Sequence, residues 1–262
     1  MDACLLSESS LFIQSDRILM ITCGQTDPIL AVPDIIGLVG KKNIHGIVYE
    51  RKNIMPFHKP SDDIRTVVEG VDSCFSGKIC RVGPAAGDHV HLFYANCTKE
   101  PTIRQTTVQL LMSGIDPSVR DLFSMEKGGT ALQAAILGKL NRLYEDMTVD
   151  TFFFDPFGYS LNGIRENSYY TIHVSPQPEG SYASFESNAD PEKSHRTMET
   201  VVSTFKPLRF SVLVTGGGTG SAGVLADSTD LGINGYRFIG KGAIKFDDGY
   251  TAVFMSYRKM EK

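Results

Sequence analysis

The chain has 262 residues, 42% hydrophobic and 21% charged, as in a globular protein with a core of ordinary size. Its formal net charge of −4 argues against nucleic-acid binding, which depends on a basic surface. The apolar runs are too short to span a membrane, and the N-terminus lacks the features of a signal peptide. Five cysteines without CxxC spacing argue against disulfides and zinc, so we expect a cytoplasmic protein without a metal.

The predicted elements alternate between groups of strands and single helices. Short apolar runs indicate strands, while Thr26 or Asp27 and the Asp116-Pro117 pair indicate helix N-termini. Strands are predicted at residues 11–13, 18–22, 44–49, 78–82, 89–95, 106–112, 169–174, 182–186, 210–215, 236–239 and 250–257. Helices are predicted to begin near residue 27 and at residue 117, and to cover 62–71, 131–144 and 191–205.

This order of elements favours an α+β fold with antiparallel sheets, each covered by helices on one face. We expect two antiparallel β-sheets packed in a sandwich flanked by α-helices, which is a four-layer α/β/β/α arrangement. The two halves have a similar order of elements, which suggests one internally duplicated domain over residues 1–262, although no repeat is visible in the sequence.

Two motifs match cofactor or metal sites only in part. Residues 218–223 match GxGxxG after a predicted strand, but the following residues lack the helical period of a dinucleotide site, so a hairpin loop is favoured. His89 and His91 share one face of a predicted strand. No third ligand is suggested nearby, so an exposed strand face is favoured over a metal site.

Three further segments have ordinary structural interpretations when each is considered separately. Residues 6–12 read as a polar turn between short strands, and residues 154–163 read as a turn with an exposed serine and asparagine. His173 falls inside an apolar strand, where a histidine is more often a hydrogen-bonded core residue than a catalyst.

Together, residues 6–12, 22–24, 155–163 and 171–186 resemble the eukaryotic-type S-adenosylmethionine decarboxylases. The segments occur in the family's order, with similar spacing and over the whole chain, and this agreement is more specific than any one motif. The resemblance implies a pyruvoyl-dependent enzyme that decarboxylates S-adenosylmethionine for spermidine and spermine biosynthesis.

Enzymes of this family cleave their own chain to create the pyruvoyl group. The resemblance places the scissile bond between Glu8 and Ser9, so that residues 1–8 form a β-chain and Ser9 becomes the covalent pyruvoyl group of the α-chain. Ser160 and His173 match the family's processing residues. His173 is the expected base, because imidazole titrates near neutral pH.

The resemblance also implies residues for catalysis and substrate binding. Cys23 matches the family's proton donor, and Phe154 matches an aromatic residue that stacks on adenine. Leu6 and Glu8 match positions that hold the adenine edge. Gln177 stands where the family has a glutamate that binds both ribose hydroxyls, and the amide loses a charge-assisted pair of hydrogen bonds. We therefore expect weaker or altered substrate binding.

Two differences from the family concern regulation and length. Members that putrescine activates carry buried acidic residues, whereas the matching positions here are Gln105 and Gln109, with Glu186 still acidic. Neutral amides attract a diamine poorly, so little or no activation is expected at this effector site. The family also has a longer segment before the cleavage motif, so the chain is expected to be N-terminally short.

Two other functions stay open at this point. A catalytically inactive paralogue that regulates an active decarboxylase would fit the short N-terminus and Gln177, but not the retention of Ser9, Cys23, Ser160 and His173. A pyruvoyl decarboxylase of another amino acid would also fit Gln177. The expected partner is the small-molecule substrate, with a homodimer or a heterodimer with a paralogue as the alternatives for assembly.

Overall fold

The structure is a computed structural model that describes residues 1–6, 9–23, 27–53, 64, 68–69, 71, 75–84, 87–98, 104–124, 129–155, 157–189, 194–217 and 230–261. Within these residues the strands are β1 (Asp2–Leu6), β2 (Ser9–Ile13), β3 (Ile18–Thr22), β4 (Gly46–Asn53), β5 (Lys78–Val82), β6 (His89–Asn96), β7 (Thr107–Ser113), β8 (Thr148–Phe153), β9 (Tyr159–Arg165), β10 (Ser168–Ser175), β11 (Tyr182–Ser187), β12 (Arg209–Gly216), β13 (Tyr236–Lys245) and β14 (Thr251–Lys259). The helices are α1 (Val32–Val39), α2 (Pro117–Arg120), α3 (Ala131–Leu140) and α4 (Ser194–Phe205), with 3-10 turns at Pro28–Ala31, Lys41–Asn43 and Asp121–Phe123.

The predicted strands are confirmed, with differences of a few residues at most ends and a longer β13. Asp27 caps the first helical turn by accepting a hydrogen bond from the Ile29 N–H. The turn predicted at residues 154–163 is wrong in its second half, where β9 is a buried strand. The GxGxxG segment at 218–223 and most of the predicted helix at 62–71 lie outside the described residues.

The strands of the described residues form three antiparallel sheets. A large eight-stranded sheet has the order β13-β14-β12-β7-β11-β10-β9-β8, and two small sheets have the orders β1-β2-β3 and β4-β6-β5. The predicted α+β class with antiparallel sheets is confirmed. The expected single second sheet is replaced, in the described part of the chain, by two separate three-stranded sheets.

One face of the large sheet is apolar and packs against helices. Because successive side chains of a strand alternate between faces, Leu110 and Val212 point to the same side of the sheet. They belong to one buried cluster with Leu140 of α3 and with Met198 and Phe205 of α4. Burial of this apolar surface holds the helical layer on the sheet.

The opposite face of the large sheet packs against the two small sheets. Leu111 and Phe254 form a buried cluster with Val90 of β6. Phe12 of β2 packs on Tyr169 of β10 with their ring centroids 4.7 Å apart. The same face carries buried polar side chains, namely Gln109, Ser160, Asn162, Thr171, His173, Ser184 and Glu186.

A further helical layer lies on the outer side of the β4-β6-β5 sheet. Phe93 and Ala95 of β6 form a buried cluster with Ile29 and Val68, and Ile36 of α1 packs against it. The layers therefore follow the predicted helix, sheet, sheet, helix order. Internal duplication stays a prediction. Within the described residues, no helix has the length and hydrophobicity required to cross a membrane.

Candidate active site

The ring of His173 is hydrogen-bonded at both nitrogens between the large sheet and the β1-β2-β3 sheet. Ser160 of β9 lies directly opposite His173 of β10, and its Oγ is 2.9 Å from Nδ1. Ser10 of β2 approaches from the facing sheet, with its Oγ 3.0 Å from Nε2. The structure thus brings the predicted pair Ser160 and His173 into direct contact and adds Ser10.

Ser10 also contacts the neighbouring pair of cross-strand residues. Its hydroxyl donates to Oδ1 of Asn162 at 2.8 Å and lies 3.5 Å from Oγ1 of Thr171. Asn162 and Thr171 are register partners on β9 and β10, and all three side chains are buried. Ser10 and Asn162 were not predicted from the sequence as site residues. The period of two was the available signal, since Asn162 shares a strand face with Ser160.

The surroundings of His173 keep its imidazole neutral. Burial lowers the pKa of His173 from 6.5 to about 4, and the Lys52 ammonium acts in the same direction. The ring therefore stays uncharged at neutral pH and keeps one nitrogen free of a proton. The expected reason for His173 to act as the base, titration near neutral pH, is therefore not met. The neutral ring can accept a proton, but it is a weaker base than a free imidazole.

Ser9, the predicted nucleophile, lies beside this site on β2. Ser9 and Ser10 are consecutive on a strand, so their side chains point to opposite faces, and Ser10 is the one that contacts His173. Ser9 is only 8% exposed and pairs with Leu6 of β1 and Thr22 of β3. Glu8 lies outside the described residues. The role of Ser9 stays a prediction. Ser9 immediately precedes Ser10, the residue that contacts His173.

The other predicted substrate and proton-transfer residues lie at the ends of strands. Cys23 follows β3 and is half-buried. Burial raises the pKa of Tyr182, and the charge of a Cys23 thiolate adds to this effect, which places the thiol near β11. Phe154 is half-buried in the β8–β9 connection, 4.8 Å from the Phe152 ring between centroids. Gln177 is exposed in the β10–β11 loop.

The predicted effector residues separate into two places. Gln109 and Glu186 are register partners on β7 and β11, and Glu186 accepts a hydrogen bond of 2.6 Å from the Tyr169 hydroxyl. Gln105 instead accepts a hydrogen bond from Arg17. The predicted group of three is therefore not a single cluster in this structure.

Two residues of β4 complete the cluster around Glu186, and neither was predicted from the sequence. Gln109 donates to Glu50 at 2.7 Å, while its own Oε1 is buried without a hydrogen-bond partner among the described residues. Glu50 and Lys52 are two positions apart on β4, so their side chains lie on the same face of the strand. The Lys52 charge affects both Glu186 and His173. The cluster therefore contains its own cation.

Glu186 gives a testable prediction about stability. Burial raises the pKa of its carboxyl from 4.5 to about 6, despite the opposing effect of Lys52. A raised pKa in the folded state means that ionisation costs stability, which is lost as the pH rises through 6. Glu186→Gln is expected to raise the free energy of unfolding at pH 7.5 by ~2 kcal/mol and to have little effect at pH 4.5.

Urea denaturation of both proteins at the two pH values measures this difference. Glu179→Gln, which removes an exposed carboxyl, is the matched control and should change stability little at either pH. Equal or lower stability of Glu186→Gln at pH 7.5 would contradict the assignment of a destabilising buried carboxylate.

The two rejected motifs can be compared with the structure in part. His89 and His91 are half-buried on β6 rather than exposed, with ring centroids 4.9 Å apart, and His89 Nδ1 is 2.9 Å from the Gly87 carbonyl oxygen. In the described part of the chain, no group of three or more His, Cys, Asp or Glu side chains is arranged to hold a metal ion.

Known proteins resemble this chain over almost its whole length. The family model described as adenosylmethionine decarboxylase matches residues 1–258. The S-adenosylmethionine decarboxylase proenzyme of Xenopus laevis is 32% identical over 271 residues, covering 99% of this chain and 80% of that protein. The proenzyme of Dictyostelium discoideum is 30% identical over 270 residues, covering 100% of this chain and 71% of that protein.

The same family appears among solved structures. The Trypanosoma brucei AdoMetDC-delta26 monomer has a TM-score of 0.74 and 21% sequence identity, and the match covers 96% of this chain and 99% of that one. This likeness supports the fold, while the sequence matches supply the family. The chain therefore belongs to the adenosylmethionine decarboxylase family.

Proposed function

We propose that this protein decarboxylates S-adenosylmethionine, using a pyruvoyl group that it makes from Ser9 by cutting its chain after Glu8. The observation that carries the proposal is the buried, neutral His173, whose ring contacts Ser160 and the residue that follows Ser9. Membership of the family supports the same activity. The product would be the aminopropyl donor for spermidine and spermine synthesis.

Self-cleavage follows from the chemistry of Ser9 and its neighbours. The Ser9 hydroxyl attacks the carbonyl carbon of Glu8, the peptide C–N bond breaks, and an ester replaces it. A base then removes the Ser9 α-proton, and the ester bond between the Ser9 β-carbon and its oxygen breaks. The main-chain carboxylate of Glu8 leaves, which separates residues 1–8 from residues 9–262. Uptake of water and release of ammonia leave the pyruvoyl group. His173 is the proposed base, since its imidazole is neutral at working pH.

The residues around Ser9 fit a pyruvoyl group at this position. Ser9 is nearly buried on β2, between the paired strands β1 and β3, so an N-terminus created there would be held by the sheet. When present, the pyruvoyl group acts as an electron sink for the loss of CO₂. Cys23 is the proposed donor of the proton that replaces CO₂ on the substrate carbon. Leu6, Glu8 and Phe154 are proposed to bind the adenine.

Gln177 gives a prediction about affinity for the substrate. It is exposed in the β10–β11 loop and is proposed to contact the ribose hydroxyls through its amide. Gln177→Glu restores a carboxylate that accepts two charge-assisted hydrogen bonds, so the KM for S-adenosylmethionine is expected to fall about tenfold. Initial rates of CO₂ release measure the change. Glu179→Gln in the same loop is the control, and an unchanged KM in Gln177→Glu would remove Gln177 from the ribose site.

Putrescine is expected to change the activity by less than about twofold, because the buried cluster already contains a cation and only weakly attracts another. Gln109 pairs with Glu50, and the Lys52 ammonium acts on Glu186. Activity assays with and without millimolar putrescine test this. A rise of several-fold would contradict the prediction and would point to a diamine bound at the Glu186 cluster.

The first experiment is the intact mass of the purified protein, combined with borohydride reduction of any new carbonyl group. A chain that begins at residue 9 with a reducible pyruvoyl end, together with CO₂ release from S-adenosylmethionine, is expected. An uncut chain without activity would favour the inactive regulatory paralogue, which would form a heterodimer. A cut chain that acts on another amino acid would change the substrate but keep the chemistry.

A cytoplasmic location is part of the proposal. Among the residues that the structure describes, no two cysteines are joined in a disulfide, which fits a reducing compartment. A homodimer and a heterodimer with a paralogue stay the two alternatives for assembly.

A further inference from the structure

The orientation of Asn162 determines the direction of the hydrogen bonds around Ser10. The Asn162 side chain lies between the Cys4 carbonyl oxygen, 3.5 Å from its Nδ2, and the Ser10 hydroxyl, 2.8 Å from its Oδ1. A carbonyl oxygen only accepts hydrogen bonds, so the amide nitrogen must face Cys4. Oδ1 therefore faces Ser10 and accepts the one hydrogen bond that the Ser10 hydroxyl can donate.

This direction continues through the ring of His173. The Ser10 hydroxyl uses its one O–H to donate a hydrogen bond to Asn162. It can therefore only accept a hydrogen bond from Nε2 of the ring, 3.0 Å away. Nε2 must therefore carry the proton of the neutral imidazole. Nδ1 is left with a lone pair and accepts from the Ser160 hydroxyl at 2.9 Å.

We infer that Ser10 and Asn162 are positioning residues that hold His173 in the Nε2–H tautomer and direct its basic nitrogen toward Ser160. The chain of donors then runs from Ser160 to His173, from His173 to Ser10, and from Ser10 to Asn162. Every member is buried, so water offers no competing hydrogen bonds. Neither positioning residue is itself required to react.

The consequence for self-cleavage rests on the proposed function. A proton taken up by His173 enters at Nδ1, the nitrogen that faces Ser160, and the ring becomes an imidazolium. Nε2–H meanwhile remains a donor on the Ser10 side, next to Ser9. The tautomer thus gives the two sides of one ring different roles, as base and as hydrogen-bond donor.

The tautomer is measured by nitrogen NMR of the histidine rings in the uncut Ser9→Ala protein at pH 7. His173→Gln in the same background identifies the His173 signals by their loss. The expected spectrum has a proton on Nε2 and none on Nδ1. A proton on Nδ1 in the Ser9→Ala protein would overturn the inference.

Variants of Ser10 and Asn162, which leave the ring itself unchanged, separate a directing role from a structural one. Asn162→Ala frees the Ser10 hydroxyl to donate to Nε2, so the proton is expected to move to Nδ1. Ser10→Ala removes the acceptor of Nε2–H and should shift the same equilibrium, while Ser10→Thr keeps a hydroxyl and should retain Nε2–H. Thr171→Val is the matched control, because its hydroxyl is 3.5 Å from Ser10, and should leave the tautomer unchanged.

Cleavage rates of chains that retain Ser9 provide the second readout. Ser10→Ala and Asn162→Ala are expected to slow cleavage about tenfold, the effect of one lost hydrogen bond, and Ser10→Thr is expected to recover most of the rate. An unchanged tautomer in both Asn162→Ala and Ser10→Ala would overturn the inference. Absence of cleavage in every variant would count against the proposed function, whereas the ring spectrum of the uncut protein decides the tautomer by itself.

Discussion

Ser9→Ala is expected to leave the chain uncut and to abolish decarboxylation. Alanine has no hydroxyl to attack the Glu8 carbonyl, so neither the ester nor the pyruvoyl group can form. Every turnover depends on that group, so the activity should fall to background and not merely decrease. Intact mass gives the state of the chain, borohydride reduction detects the carbonyl, and release of labelled CO₂ from S-adenosylmethionine gives the activity.

Ser256→Ala is the matched control for this loss. Ser256 of β14 is a buried serine on the large sheet, hydrogen-bonded to Ser211 at 3.2 Å. It lies on a different strand pair from Ser160 and His173, so cleavage and activity are expected to persist. Cleavage of the Ser9→Ala chain would assign the reaction to another serine, and Ser10 would be the first to test because it contacts His173.

Cys23→Ala is expected to separate self-cleavage from decarboxylation. Cys23 lies after β3 and near Tyr182, whereas the hydrogen-bonded chain through His173 consists of Ser160, His173, Ser10 and Asn162. The variant should therefore still produce a chain that begins at residue 9. Its kcat should fall by about 10²–10⁴, the usual contribution of a positioned acid or base, while KM changes little.

Cys80→Ala controls for the loss of a half-buried thiol. Cys80 lies on β5, in the other small sheet, and burial raises its pKa. It should match the parent protein in cleavage and in kcat. If Cys23→Ala retains full kcat, the proton donor is another residue. If it fails to cleave although it is folded, Cys23 belongs to the processing site.

The local pattern of apolar residues was sufficient to predict most strands, but it missed β8, which is largely exposed, and β9, which is buried but half polar. Ser160 and Asn162 alternate with Tyr159 and Leu161 on β9, and their hydroxyl and amide groups gave the segment the appearance of an exposed turn. In the structure that polar face is covered by β2, where Ser10 satisfies Asn162. A strand face can be polar and buried when another sheet supplies its hydrogen-bond partners.

The sequence by itself determined the class of fold, the family and the identity of Ser9, Cys23, Ser160 and His173 as candidates. The class of fold follows from the period and order of the strands, whereas the family and the four candidate residues follow from the resemblance of four segments, spread over the chain, to the S-adenosylmethionine decarboxylases. Such patterns state which side chains share a face, but they do not state what covers that face.

The tertiary structure decided which residues act together. Ser10 meets His173 across 163 positions of the chain and Asn162 across 152, and Glu50 meets Gln109 across 59. Each contact crosses the space between two packed sheets, where burial removes water and makes every polar group depend on a partner from the facing sheet. The lowered pKa of His173, the raised pKa of Glu186 and the direction of the hydrogen bonds around His173 all arise there. Each depends on burial and on neighbours that are distant in sequence.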